Sequence, residues 1–266
     1  MSENAVLLVI ATFLGLIVGL SIWLFREAIN LIQQGTALLQ TRLPSIPAPI
    51  VLLVTLAFAG AVVGLIMDRF IGEERHHGVA GVIEAVALSN GRLRYRRMPF
   101  KAIASAISLG AGASVGPEDP SVQIGANLGS WIGQSLHVKD DFVRILVAAG
   151  AASAISAAFG APIAGVFFAI EVILNGVFET RSFGVIVLAS VVAAAVMQAI
   201  QPVPDMGPFT YTMGSPLEIP LFIPLGLILA LVSVVFMRAV RWQHDFWHHY
   251  VHLSRPAKTA LGLVKV

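Results

Sequence analysis

GAGASVGPEDPSVQIG, residues 110–125, is the stretch on which the rest of the chain is read. Gly110, Gly112 and Gly116 lead into Pro117 and Pro120, which bracket two carboxylates, Glu118 and Asp119. Proline is favoured in a first helical turn, so a helix is expected to begin near Pro120. Its N-terminus offers unpaired N–H groups and about half a positive charge, the makings of an anion site. Glu118 stands immediately before it, where its carboxylate can cap the same donors. A carboxylate competing with an anion for one set of amides is a gate. The alternative is a plain cap at the membrane surface.

The surroundings are apolar. Of 266 residues, 57% are hydrophobic and 12% charged, with a mean hydropathy of +0.84. Soluble domains carry about 25% charged residues, and disorder needs charge and few apolar residues. Both classes are excluded. A net charge of +2 argues against a nucleic-acid partner. With no cysteine there is no disulfide framework, thiolate metal site or cysteine nucleophile. The chain reads as an integral membrane protein.

Ala5 to Phe25 has the length of a spanning helix, closed by Arg26 and Glu27. Ile50 to Met67 follows the Pro44/Pro47/Pro49 cluster and stops at Asp68-Arg69, and Leu221 to Met237 ends at Arg238, Arg241 and Trp242. From Met98 to Ile200 the apolar pieces are cut at 116–120, 139–141, 160–162 and 175–176, and most read as too short to cross upright. Broken helices in series mark a transport core, because non-helical backbone survives at membrane depth only inside protein or beside a polar cavity. Small residues in 104–113 and 148–164 point to close helix packing, with Ser105, Ser108, Ser114, Ser153 and Ser156 bonding to nearby backbone.

Two further loop–helix entries are Arg75-His-His-Gly-Val-Ala-Gly-Val-Ile-Glu84 and Ala158-Phe-Gly-Ala-Pro-Ile-Ala-Gly165. The second opens an expected helix, Ile163–Leu174, that carries Glu171 inside an apolar span. An ionisable group there is either functional or a structural carboxylate bonded to backbone or hydroxyl. His244, His248 and His252 share a helical face and are read as an interfacial belt rather than a metal site. No cofactor is expected, no enzyme is expected, and no HExxH motif is present.

GASVGPEDPSVQIGANLG resembles the second signature, Gly-Lys/Arg-Glu-Gly-Pro, of the CLC chloride channel and transporter family. HHGVAGVIEAV resembles the first signature in its bacterial form, and AAGAASAISAAFGAPIAGVFFAIEVIL the segment that follows, in the same order and spacing. The resemblance implies an all-α polytopic membrane protein with broken, tilted helices, the first half of an inverted-repeat fold. Residues 1–215 would be the first repeat, and 216–266 the opening of a second. Glu118 corresponds to the gating glutamate, seated in an anion site when deprotonated and swung out when protonated or displaced. Gly116, Pro117 and Asp119 fall at the outer anion site, and His77, Gly78, Val79 and Ala80 at the central one. Glu171 matches a glutamate of its helix. Val172 falls where proton-coupled exchangers carry a second glutamate, which favours a channel over strict exchange. Two departures stand out. Pro117 removes an N–H donor, and Asp119 places a second carboxylate beside the gate, expected to repel an anion unless protonated or paired.

The implied function is transport of chloride or a similar small anion across a bacterial inner membrane, by a homodimer in contact with lipid. The alternatives are coupled anion/proton or fluoride-type exchange, and a non-conducting scaffold. The later family motifs have no counterpart in this sequence. It is therefore expected to need a second-half polypeptide and to form no complete pore alone. Arg92, Arg94, Arg96, Arg97 and Lys101 make a basic loop, cytoplasmic by the positive-inside rule. Cysteines placed at Ser89 or Asn90 should resist an impermeant thiol reagent added outside intact cells. Ready labelling would reverse this topology.

Overall fold

The computed structural model describes residues 3–72, 78–176, 180–202, 214–250 and 254–262. Every regular element among them is helical: α1 (Glu3–Arg42), α2 (Ala48–Ile66), α3 (Gly78–Leu88), α4 (Met98–Gly110), α5 (Glu118–Ser135), α6 (Asp140–Phe159), α7 (Pro162–Phe168), α8 (Thr180–Ile200), α9 (Phe222–Tyr250) and α10 (Arg255–Ala260). Five helical stretches are long and apolar enough to cross a membrane: Ala5–Arg42, Ala48–Ile71, Asp140–Phe159, Ser182–Ile200 and Glu218–Gln243. The molecule is an integral membrane protein, all-helical in its described residues.

The expected break at 175–176 falls between elements, whereas those at 116–120, 139–141 and 160–162 run into the first residues of α5, α6 and α7, and several other bounds differ from expectation. Arg26-Glu27 ends the hydrophobic run and not the helix. The residues after it are good helix formers, and no proline occurs before Pro44. Arg26 donates through Nη2 to the carbonyl of Ala158 at the end of α6, where a cation suits the helix dipole. The α6 and α8 segments are full-length spans, unlike the short pieces expected. Lys101 lies in the first turn of α4 and not in a loop. The expected helix after Pro162 changes to a π turn at Ala169–Ile173, which carries Glu171.

One stripe of α1 is buried: Leu7, Ala11, Leu14, Val18, Ile22 and Phe25. Their spacing of three and four is that of a helix face packed on a core. Val9, Phe13, Leu16, Leu20 and Leu24 remain exposed, an apolar outer face that suits lipid. At the centre of the bundle is α6, where Leu146 through Ala149, Ala151, Ala152 and Ala154 are wholly buried. Small residues permit this, because lipid supplies no hydrophobic drive between helices and close backbone approach replaces it. Gly125 of α5 and Gly150 of α6 face each other so closely that a Cβ on either would strike the other's carbonyl oxygen. Gly129 meets the Leu146 carbonyl in the same way. Ser153 and Ser156 donate to the carbonyls of Ala149 and Ala152, each at 2.7 Å. Ser156 also touches Ser190, which donates to the Pro162 carbonyl at 2.8 Å.

At the periphery, α10 lies on α2, with Pro256 and Thr259 against Gly60 and Gly64. The apolar residues of α9 from Phe222 to Met237 are largely exposed.

Replacing Gly125 by Val or Gly150 by Leu should force α5 and α6 apart and cost about 1–3 kcal/mol or more. Thermal unfolding in detergent reads this as a lower midpoint. Gly184→Ala, where a Cβ meets nothing within 4 Å, should leave the midpoint unchanged or raise it slightly.

Candidate functional site

The first residue of α5 is Glu118, two residues earlier than expected, with Pro117 as its N-cap at φ −80° and ψ 2°. The Pro117 carbonyl accepts from the Ser121 N–H at 3.0 Å and from Ser121 Oγ at 2.7 Å, closing the turn. Both carboxylates therefore sit in the first turn, where the dipole favours negative charge. Prolines 117 and 120 remove no hydrogen bond, because the N–H groups of these positions have no intrahelical partner.

The two carboxylates behave differently. Side chains of a helix lean toward its N-terminus, and that of Glu118 turns back so that a Cβ on Gly116 would fall on its carboxyl group. It is exposed and makes no hydrogen bond among the described residues. The expected capping of the α5 amides by Glu118 is not found, because Glu118 is inside the helix rather than before it.

Asp119 makes the connection that Glu118 does not. Its Oδ1 accepts from the Val79 N–H at 2.7 Å, and its Oδ2 from Gln123 Nε2 at 2.9 Å. Val79 is the second residue of α3, so one carboxylate caps α3 while sitting in the first turn of α5. Gly78 has φ +73°, a conformation that favours glycine. A Cβ there would lie 2.5 and 2.6 Å from the two Asp119 oxygens. The residue expected to repel an anion is thus paired, with backbone and amide donors. Ala80 is exposed, and His77 lies outside the described residues, as does His252.

Glu171 and Val172 are exposed on the π turn Ala169–Ile173. Neither of the structural bonds expected of Glu171, to backbone or hydroxyl, is present among the described residues. Single π turns inside α-helices often occur at functional positions.

A further set of polar residues was not singled out in the sequence. Ser130 accepts from the Leu93 N–H at 2.9 Å and donates to the Gly91 carbonyl at 2.6 Å. Gln134 donates to the Leu93 carbonyl at 3.1 Å, and Arg92 pairs with Asp140 at 2.8 Å. These bonds tie the basic loop to α5 and α6. The signal available was polar residues at helical spacing in an apolar chain.

The geometry agrees with comparison to known proteins. A family model described as "Voltage gated chloride channel" matches residues 59–266. "Chloride channel protein CLC-f" of Arabidopsis thaliana is 36% identical over 181 residues, which cover 62% of this chain and 23% of that protein. "H(+)/Cl(-) exchange transporter ClcA" of Vibrio vulnificus is 29% identical over 248 residues, 90% of this chain and 52% of that one. The structure of a slow cyanobacterial Cl−/H+ antiporter superposes with a TM-score of 0.84 at 25% identity, covering 98% of this chain and 62% of that one. The chain thus spans about half the length of the exchange transporter it matches. With three loop–helix entries in order, a broken-helix bundle and a family match over most of its length, the chain belongs to the voltage gated chloride channel family.

Proposed function

We propose that this chain forms an anion-transporting body in which Glu118 is the gate. The observation that carries the reading is the state of its carboxylate, placed at the start of α5 and held by no hydrogen bond among the described residues. A group so placed is near the amides that attract an anion and is free to leave them. Chloride or a similar small anion is the substrate class, in keeping with the printed names of the similar proteins. Gly116, Pro117 and Asp119 form the outer rim of the site and Gly78, Val79 and Ala80 its inner rim, with His77 assigned to the inner rim by sequence alone. Residues 1–215 serve as a first repeat and 216–266 as the opening of a second, in contact with the remainder of a pore. The resemblance of HHGVAG to the bacterial form of its signature supports a bacterial inner membrane as its location.

Val172 supports uncoupled conduction, because valine cannot carry a proton. Coupled exchange is the second reading, supported by the unbonded carboxylate of Glu171 one position earlier. A homodimer fits the outer faces of α7 and α8, where Ile163, Phe167, Phe183 and Val191 are exposed.

Chloride efflux from liposomes, measured across a pH series, tests the gate. A neutral Glu118 no longer competes by charge with an anion for the start of α5, so efflux should rise as pH falls. Glu118→Gln should be open and nearly indifferent to pH. Retention of the parent's pH profile in Glu118→Gln would reduce Glu118 to a helix-terminal charge. Proton movement driven by a chloride gradient, abolished in Glu171→Gln, would replace conduction with exchange. Single-molecule subunit counting in lipid should return dimers. Monomers across a dilution series, unchanged by Ile163→Lys, would count against the α7–α8 interface.

A further inference from the structure

The end of α9 is unlike the rest of that helix. Phe222 to Met237 carries no charged residue, and from Arg238 the sequence turns cationic and aromatic. With 29 residues, α9 is about 43 Å long at the helical rise, against about 30 Å of hydrocarbon. Its end therefore reaches the headgroup layer. Arg238, Trp242, Phe246 and Tyr250 stand four residues apart and share one row of the helix surface. Trp242 and Phe246 stack with ring centroids 5.7 Å apart, and Phe246 and Tyr250 lie 5.2 Å apart. Trp242 and Tyr250 are nonetheless 69% and 74% exposed. Aromatic rings held outside a core suit the boundary between lipid tails and headgroups.

Contacts elsewhere place this end in the molecule. The short helix α10 runs back along α2, with Pro256 against Gly64 and Ala260 against Gly60. It therefore begins at the C-terminal end of α2. The chain from Tyr250 to Arg255 spans at most about 18 Å, so α9 ends on that side too. Phe70, just after α2, stacks on Phe100 of α4 at 4.5 Å with the rings nearly parallel, and Phe100 follows the basic loop. One end of the molecule thus gathers Arg69, Arg94, Arg96, Arg238 and Arg241. All five are exposed, and none has a hydrogen bond or ion pair among the described residues. Asp68 and Asp245 are the only carboxylates in segments 68–71, 92–101 and 238–250.

We propose that this cationic rim, edged by the aromatic row of α9, binds the headgroups of anionic phospholipids in one leaflet. Positive charge sets orientation during insertion, whereas selective lipid binding is a property of the folded protein. Arginine suits it, because its stem covers apolar surface while the guanidinium reaches phosphate. The exposed apolar side chains of α9 before Arg238, such as Leu231 and Phe236, give the lipid tails a surface to lie on. The proposal does not depend on how Glu118 acts.

Tryptophan fluorescence of the full chain in phosphatidylcholine bilayers tests this. Trp23→Phe with Trp131→Phe leaves Trp242 and Trp247, both on α9, as the reporters. Brominated phosphatidylglycerol should half-quench them at about one tenth the mole fraction that brominated phosphatidylcholine requires. Raising salt from about 0.1 M to about 1 M should shrink that preference, because surface charge is screened. Arg238→Gln with Arg241→Gln should remove most of it. Arg42→Gln, where the chain leads into the opposite end of α2, should leave it intact. Equal quenching by the two lipids, or a preference that the paired α9 substitutions do not reduce, overturns the proposal. So does quenching by neither lipid, which would mean that protein covers the end of α9. If the reporter background does not fold, mass spectrometry of lipid retained by the unsubstituted chain and by the Arg238→Gln/Arg241→Gln protein reads the same preference.

Discussion

The first N–H groups of a membrane helix have no partner in their own helix, and hydrocarbon offers them none. Two such helix starts, those of α3 and α5, lie side by side here, and Asp119 serves each in a different way. It adds negative charge to the first turn of α5 and takes the Val79 N–H of α3 at 2.7 Å. Gly78 makes the approach possible, because its φ of +73° and missing side chain leave room for the carboxylate. The consequence for function is direct. The fold concentrates partial positive charge at one place and supplies the negative charge from its own chain.

The close approach depends on what lies behind it. The position of α5 is set by α6, through glycine-to-carbonyl contacts at Gly125, Gly129 and Gly150. Buried serines bonded to their own helix add polar groups without leaving them unsatisfied. Rigid packing of this kind holds the start of α5 fixed, while the exposed Glu118 side chain makes no hydrogen bond among the described residues that would tie it there. A fixed set of donors beside a movable carboxylate is the physical requirement for a gate.

Much of this was legible in the sequence, and the misses have identifiable causes. Glycine and proline located the breaks at 116–120, 160–162 and 175–176, because they act on the backbone locally, and the charged run Lys139-Asp140-Asp141 located the other. Hydrophobicity alone misjudged α1, since lipid contact ends where charge begins but a helix continues until its backbone is interrupted. The pairing of Asp119 was beyond sequence reasoning because its partner, Val79, is forty residues away and contributes only a main-chain N–H. The polar spacing of Ser130 and Gln134 on α5 was visible in the sequence, yet its meaning depended on the loop beside it. The π turn at Glu171 leaves no signature in residue type.

The account turns on the start of α5 being an anion site guarded by carboxylates of its own chain. Anomalous diffraction from bromide-soaked crystals of the Glu118→Gln protein tests this most directly. The account predicts a bromide peak within hydrogen-bonding distance of the main-chain N–H groups at Gly116–Asp119. Ordered density for that turn with no bromide beside it, at concentrations that fill other sites on the protein, would contradict it.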